Sequence, residues 1–366
     1  MGYSINMEYL LGEIVLMSAL IKKKSKIIAI CLILFMFTMM AFSYGNSDFE
    51  TYEMYFEIYG NNLSINAFFL LNGGFKWLCS LFQKLNLTYN DMLFFMSLFG
   101  FYNLIWVAKK YVQNINVVFA LLYIYPFIID ITQIRNFVSM TLLIRGIYYL
   151  ITEKKNSKAI IKFGLFNSLA TSFHLTFLYY FILICIRFID RKNIKYIAPI
   201  MVVGEMILWK GLCYFIAEYT SETKAAFYFG KHIRLVTLFI IVIYYLSINI
   251  WVNYIYKRNT KIMWIANMYK INLVMLTTLP LVYHSFEFMR LYRNIFFMLY
   301  IMAANYYESH KKIVFNRKKI ASAQIILISM ILIAMFSLYF FIYRDYQLTV
   351  IIPAFEMNRA WKTIFC

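Results

Sequence analysis

Charge is scarce in this chain. Only 14% of its 366 residues are Asp, Glu, Lys or Arg, about half the share in an ordinary soluble domain. A water-facing surface needs more, which excludes a soluble globular enzyme, and disordered chains and coiled coils need more still. Cysteines are few and unpatterned: Cys31, Cys79, Cys185, Cys213 and Cys366 are odd in number and scattered, with no CxxC, so neither a disulfide framework nor a zinc site is expected. There is no P-loop, GxGxxG, HExxH or GxSxG, which argues against a nucleotide-driven pump and a zinc protease. No cleavable signal is expected, because the first apolar stretch lacks a basic n-region and its lysines follow it.

What is present is apolar surface. Hydrophobic residues make up 63% and aromatic residues 20% of the chain, with a mean hydropathy of +0.66. A spanning helix uses ~20 apolar residues, so the length allows roughly a dozen spans and little else. The expectation is an all-α, polytopic integral membrane protein forming one transmembrane domain over residues 1–366, without a soluble domain.

The net charge of +19 comes from 36 Lys and Arg against 17 Asp and Glu. The basic residues sit in short clusters between apolar runs, as in cytoplasmic loops under the positive-inside rule. That pattern argues against nucleic acid as a partner. Lys22, Lys23, Lys24 and Lys26 mark one such loop, so the chain enters with its N-terminus outside. Spans follow at about 3–21, 27–44, 90–108, 116–132, 137–152, 158–173, 175–190, 195–212, 233–252, 262–283, 290–307 and 320–342. Cytoplasmic loops fall at 109–115, 153–157, 191–194, 253–261 and 308–319, and both termini lie outside. The stretch 66–84 is apolar but is interrupted by Asn72, Gly73, Gly74 and Lys76, and reads as a re-entrant or interfacial segment. Most of the 17 acids, Asp48, Glu50, Glu53 and Glu57 among them, then lie outside.

Charges beside hydrocarbon are functional candidates by default, and this map puts four groups at the outer face. The first is Asp48-Phe49-Glu50-Thr51-Tyr52 with Tyr55 and Tyr59. Asp48, Tyr52, Tyr55 and Tyr59 share one helix face. They mix a carboxylate with phenols suited to sugars, though Tyr is also favoured at any membrane interface. The second is Asp130-Ile131-Thr132-Gln133-Ile134-Arg135-Asn136, a polar knot between two apolar runs. A guanidinium there can take phosphate bidentately, or it can pair with Asp130. Arg145 is a weaker candidate of the same kind.

The third is the hinge Ser172-Phe173-His174-Leu175-Thr176. Its imidazole could accept a proton near neutral pH, or simply bond a backbone carbonyl. The fourth is His284 to Arg293, where Glu287 and Arg290 are spaced to pair and Arg290 and Arg293 to converge on one anion. Arg234, with Lys231 and His232, opens the span at 233. Arginines, a histidine and carboxylates on one face suit an anionic, membrane-held substrate such as a lipid pyrophosphate, whose leaving group needs no protonation.

In four features, in order over about residues 25–345, the chain resembles the EpsG/Wzy-like family of bacterial polysaccharide polymerases. They are the Asp48-x-x-x-Tyr52 segment, the Gln133-Ile134-Arg135 start of a mid-chain span, the Phe173-His174-x-Thr176 hinge and the Arg290 and Arg293 start of a late span. Arg135 and Gly146 also match an Arg-x10-Gly pattern of Wzy proteins, while no glycine follows Arg290 or Arg293 at that spacing.

The resemblance implies a multi-pass, GT-C-like enzyme of the bacterial cytoplasmic membrane with an outward active site and no cofactor or metal. It would join oligosaccharide repeat units carried on undecaprenyl pyrophosphate. A flippase and a chain-length regulator of the same pathway are the implied partners. Arg135 and Arg290 would hold the pyrophosphate, with Arg293 or Arg234 assisting. His174 would be the base, with Asp48 as rival. Tyr52, Gln133 and Glu287 would line the sugar site. Three alternatives remain open. Asp48-x-Glu50 fits a GT-C-type glycosyltransferase adding single sugars from a lipid phosphate, sometimes with a metal. A flippase of lipid-linked oligosaccharide would show internal pseudo-symmetry. A membrane acyltransferase would want a second positioned His or a His-Asp pair.

Overall fold

A computed structural model describes residues 7–21, 25–46, 48–59, 72–219, 233–311, 317–343 and 346–360. Lys22 to Lys24, Lys231, His232, Glu222, Asp345 and the first part of the 66–84 stretch lie outside the described residues. Among the described residues the protein is helical throughout, with one isolated bridge between Ser43 and Asn358 in place of any sheet.

Local chemistry sets the helix ends. Ser25 caps the Lys26–Ala41 helix, its hydroxyl accepting from the Ile28 amide at 3.3 Å. Thr88 and Asp91 form a reciprocal capping box that starts Tyr89–Tyr111. The apolar run Asn116–Thr132 is kinked where Pro126 cannot donate and Tyr125 turns extended. At Gln133 the backbone leaves the helix, and a new one runs over Ile134–Thr152. Among the described residues, four helices are long and apolar enough to cross a membrane: Tyr89–Tyr111, Leu235–Arg258, Met263–His284 and Gln324–Tyr343.

Shorter apolar helices cover Leu11–Leu20, Lys26–Ala41, Asn116–Thr132 and Leu175–Arg187. Leu175–Arg187 is wound as a 3-10 helix of 13 residues. At ~2.0 Å per residue it reaches about 26 Å, where an α-helix of that length would reach about 20 Å. The Gly73–Lys84 helix has 12 residues. At 1.5 Å per residue it covers about 18 Å, short of a ~30 Å hydrocarbon core, and it follows Asn72 in the left-handed conformation.

The helices pack as two compact units interleaved along the sequence. The first comprises Met1–Tyr148, Phe163–Leu178 and Tyr300–Cys366. In it the first part of Ile134–Thr152 and the last part of Asn156–Phe173 meet with small residues at the seam. Ser139 donates to the Ala170 carbonyl at 2.9 Å, and a Cβ on Gly146 would stand 3.2 Å from Phe163 and Phe166. Gly146, eleven residues after Arg135, thus has a packing role.

Contacts in this unit collect its loops at two ends. At one end Asn116 donates to the Ser25 carbonyl at 3.2 Å, and Asn305 bonds the Tyr111 carbonyl at 2.6 Å. There the Glu308 carboxylate accepts from the Gln113 and Asn114 amides at 3.0 and 2.8 Å. Elsewhere the Tyr44 amide donates to Met357 O at 3.0 Å, and Asn358 donates to the Thr38 and Met39 carbonyls, 3.1 Å each, closing the Lys26–Ala41 helix.

The second unit comprises Tyr149–Lys162 and Tyr179–Leu299. Its core is a network of buried phenols. Tyr245 stacks on Tyr292 at 4.1 Å and bonds Thr278 at 2.8 Å. Tyr292 donates to Asn272, which donates to Asn249, 2.7 Å in each case. Such bonds join helices where burial of apolar surface gives little drive. Arg187 caps three carbonyls at the end of the preceding helix pair, those of Leu150, Glu153 and Lys154. Arg191 bonds the Thr260 carbonyl at 2.9 Å, and the Lys270 ammonium caps the Ile186 and Ile189 carbonyls.

Candidate functional site

Arg135 is the second residue of the Ile134–Thr152 helix and is half-buried. Its Nε and Nη2 both donate to the Phe173 carbonyl, at 3.1 and 3.0 Å. That carbonyl is an orphan acceptor at the end of Asn156–Phe173, and it belongs to the peptide that leads into His174. The guanidinium lies 4.8 Å from the Phe75 ring centroid and 5.8 Å from that of Tyr52. The two rings meet at 5.9 Å, so the cation sits in an aromatic corner.

The pair with Asp130 that the spacing allows is not formed. Asp130 is fully buried and turned to Asn136, whose amide donates at 3.5 Å. Among the described residues of this unit no carboxylate lies within ion-pairing distance of Arg135. Its two bonds to Phe173 leave Nη1 and a second Nη2 proton for a further acceptor.

The corner depends on a close approach. Phe75 follows Gly74, and a Cβ on Gly74 would lie 2.3 Å from the Ser172 hydroxyl and 3.2 Å from the Ser172 carbonyl carbon. Only glycine lets the Gly73–Lys84 helix reach the end of Asn156–Phe173, next to the carbonyl that Arg135 grips. The Phe49–Tyr59 helix supplies the other wall and is held by Gln83, which donates to the Phe56 carbonyl at 2.8 Å. Tyr52 donates to Asp48 at 3.5 Å, a weak bond, and Tyr55 stacks on Tyr59 at 5.6 Å. Burial and Tyr55 raise the pKa of the Tyr59 phenol, and the Arg135 charge opposes them, which places Tyr59 in reach of the same cation.

His174 stands in the turn between Asn156–Phe173 and Leu175–Arg187. Its Nδ1 lies 2.7 Å from the Thr176 hydroxyl, and its ring packs edge-on to Phe177 at 6.1 Å. Gln133 occupies the break two residues before Arg135 and is half-buried. The first unit therefore gathers Arg135, Tyr52, Asp48, Gln133 and His174 around one helix end.

In the second unit Arg290 donates from Nε to the Glu287 carbonyl and from Nη2 to the Glu287 carboxylate, both at 3.0 Å. Arg290 thus carries the local ion pair that its spacing permits, and Glu287 is its partner. Arg293 is buried, and both guanidiniums approach the Tyr180 phenol, which donates to the Leu291 carbonyl at 2.7 Å. Arg234 is exposed at the start of Leu235–Arg258, and its neighbour Ile233 bonds the Tyr283 carbonyl at 3.1 Å. Arg145, back in the first unit, lies flat on Trp106 with its carbon 3.5 Å from the ring centroid.

The pattern that defines the EpsG family matches residues 26–353, almost the whole chain. The chain belongs to the EpsG family. No curated protein and no solved structure matches it. EpsG membership makes it a membrane protein of polysaccharide biosynthesis, of the polymerase type.

Sequence reasoning missed several residues of this EpsG chain. Phe75 and Gly74 act through a tertiary approach that no local pattern reports. Glu205, half-buried well inside Ile194–Tyr219 and close enough to Tyr179 to act on its phenol, was visible as a lone acid in an apolar run.

Proposed function

We propose that the protein joins oligosaccharide repeat units carried on undecaprenyl pyrophosphate at the outer face of the bacterial cytoplasmic membrane. One observation carries the reading. Arg135 is a half-buried guanidinium with no carboxylate partner among the described residues of its unit, fixed against two aromatic rings beside the peptide that leads to His174. EpsG membership supports the reaction class.

The chemistry is a displacement at the anomeric carbon of the donor chain. The acceptor hydroxyl oxygen forms a bond to that carbon as its bond to the pyrophosphate oxygen breaks. The pyrophosphate leaves with the bonding electrons, and the remaining N–H groups of Arg135 stabilise its growing charge. The acceptor proton passes to His174, or to Asp48 as the rival base. As base, His174 needs Nδ1–H donating to Thr176, which puts the lone pair on Nε2. Tyr52 and Gln133 take sugar hydroxyls. Arg290, Arg293 and Arg234 are the second unit's candidates for phosphate, and Glu287 its candidate for sugar.

Sidedness rests on the twelve-span map and the positive-inside rule. Within the first unit the contacts of Ser25 with Asn116, and of Gln113 and Asn114 with Glu308, join loops that the map assigns to the cytoplasm. Within the second, those of Arg187 with Glu153 and of Arg191 with Thr260 do the same.

The test is complementation of a strain lacking the protein with wild type, Arg135→Ala and His174→Ala at matched membrane expression. Loss of long polymer, with single repeats still made and exported, is the expected result for both variants. Complete lipid-linked repeats trapped inside would replace this reading with a flippase, and incomplete repeats with a single-sugar transferase.

A further inference from the structure

A second feature of the first unit lies at the end opposite the Arg135 corner along Ile134–Thr152. Between the start of Lys26–Ala41 and the end of Tyr89–Tyr111 there is a cavity of about 540 Å³. Its wall is aliphatic, from Ala29, Ile30, Ile33, Leu34 and Ile105, and its mouth is edged by Lys26 and Lys109. Asn114 and Asn116 also line the cavity.

Three observations converge on one occupant. The size falls within the range of small-ligand sites. Ile30 and Leu34 are each 56% exposed, and so are Phe95, Leu98 and Tyr102 on the neighbouring helix in similar degree, so the groove opens towards hydrocarbon rather than water. Among the described residues neither the Lys26 nor the Lys109 ammonium has a hydrogen bond or an ion pair. The nearby Glu308 carboxylate is turned to the Gln113 and Asn114 amides, one oxygen to each. An apolar trough with two uncompensated cations at its rim matches an acyl chain joined to an anionic headgroup.

We propose that this groove binds an anionic glycerophospholipid, with one acyl chain along Ile33 and Ile105 and the headgroup phosphate between Lys26 and Lys109. The site is separate from the polymerase reading and does not depend on it. Only its assignment to the inner leaflet uses the sidedness given above. Two lysines beside an anionic leaflet give a preference for charge rather than an irreversible anchor.

The test is retention of lipid by the full-length protein in a non-ionic detergent, read by native mass spectrometry. The protein is offered equal amounts of phosphatidylglycerol and phosphatidylcholine with the same acyl chains. Wild type is expected to keep phosphatidylglycerol at least five-fold over phosphatidylcholine. Lys26→Gln/Lys109→Gln, at two exposed positions, should bring the ratio close to one, whereas Lys154→Gln elsewhere leaves it unchanged. Ile33→Trp, which fills the trough and keeps both charges, should lower retention of both lipids. Equal retention by wild type, an unchanged ratio in the double variant or undiminished binding in Ile33→Trp would each overturn the proposal. Displacement of the lipid by millimolar inorganic phosphate would also overturn it, by showing a phosphate site without an acyl component.

Discussion

The guanidinium of Arg135 closes on the carbonyl oxygen of Phe173 through two N–H groups, at 3.1 and 3.0 Å. This ties the start of one helix to the end of the other and fixes the residue from which His174 follows. Arg135 holds the hinge, and in the proposed reaction its remaining donors also take the pyrophosphate. Bonds from a charged donor contribute roughly 1.5–3 kcal/mol each when buried and less at a half-exposed site. Arg135→Ala should lower stability in detergent by about 1–3 kcal/mol in total and polymer formation by roughly 10²-fold or more. Arg135→Lys keeps the charge but not the planar fork. It should recover less than a tenth of the activity while membrane expression stays near wild type. Full polymer length in Arg135→Lys would mean that a point charge suffices and that the grip on Phe173 is not needed.

The hinge gives a second expectation through Thr176, which meets His174 Nδ1 at 2.7 Å. If this contact holds the tautomer with the Nε2 lone pair, Thr176→Val removes the acceptor and frees the ring to take the other form. Polymerisation should fall about ten-fold or more and its pH–rate profile should change. Thr176→Ser keeps a hydroxyl and should restore both. Equal loss in Val and Ser would point to packing of the methyl group instead.

Gly74 offers a third. A methyl at this position would meet the Ser172 hydroxyl at 2.3 Å and press on its backbone. Gly74→Ala should move Phe75 off Arg135 and destabilise by about 1–3 kcal/mol, as overpacking usually does. Gly74→Ala/Ser172→Ala removes the nearest atom and should recover part of the loss. Recovery of activity and of thermal unfolding can be followed together on the purified variants.

These cases show which parts of the site were legible in the sequence. The helical segments and the chemistry of Arg135, His174 and Tyr52 stand out because charge and polarity are rare in an apolar chain, so each exception is visible. Composition also set the class, since 14% charge cannot clothe a soluble surface. Phe75 was hidden because it is one of 36 phenylalanines, and only Gly74 against Ser172 brings it to the guanidinium. Arg187 and Lys270 looked like loop and span charges of no stated role, yet each is committed to helix-end carbonyls supplied by distant segments. The Asn72-Gly73-Gly74 interruption was read as a break in an apolar run. It opens a short helix whose second glycine is a contact surface.

In the second unit the Arg290–Glu287 pair separates charge from structure. The carboxylate is 30% exposed and the guanidinium 12%, between the exposed and buried limits, so either single loss should cost roughly 1–2 kcal/mol. If Arg290 serves a phosphate, Arg290→Ala abolishes long polymer while Glu287→Gln leaves a competent cation and retains it. The exchange Glu287→Arg/Arg290→Glu should restore stability but not polymer. Matching losses in both single variants, repaired in polymer by the exchange, would make the pair purely structural.

Sidedness can be read directly with a membrane-impermeant thiol reagent on intact cells, in a background with all five cysteines replaced. Glu50→Cys and Met357→Cys are exposed positions on the side assigned to the exterior, and Gln113→Cys and Lys154→Cys on the side assigned to the cytoplasm. The first two should label in intact cells and the last two only after permeabilisation. The comparison of Glu50 with Gln113 decides most. Among the described residues between them, only Tyr89–Tyr111 is long enough to cross, so if the 66–84 stretch does not span, the two label from opposite sides. Labelling from the same side would show that the 66–84 stretch crosses after all. It would also place the 109–115 loop outside, on the same side as the Phe49–Tyr59 helix whose Tyr52 packs on Arg135.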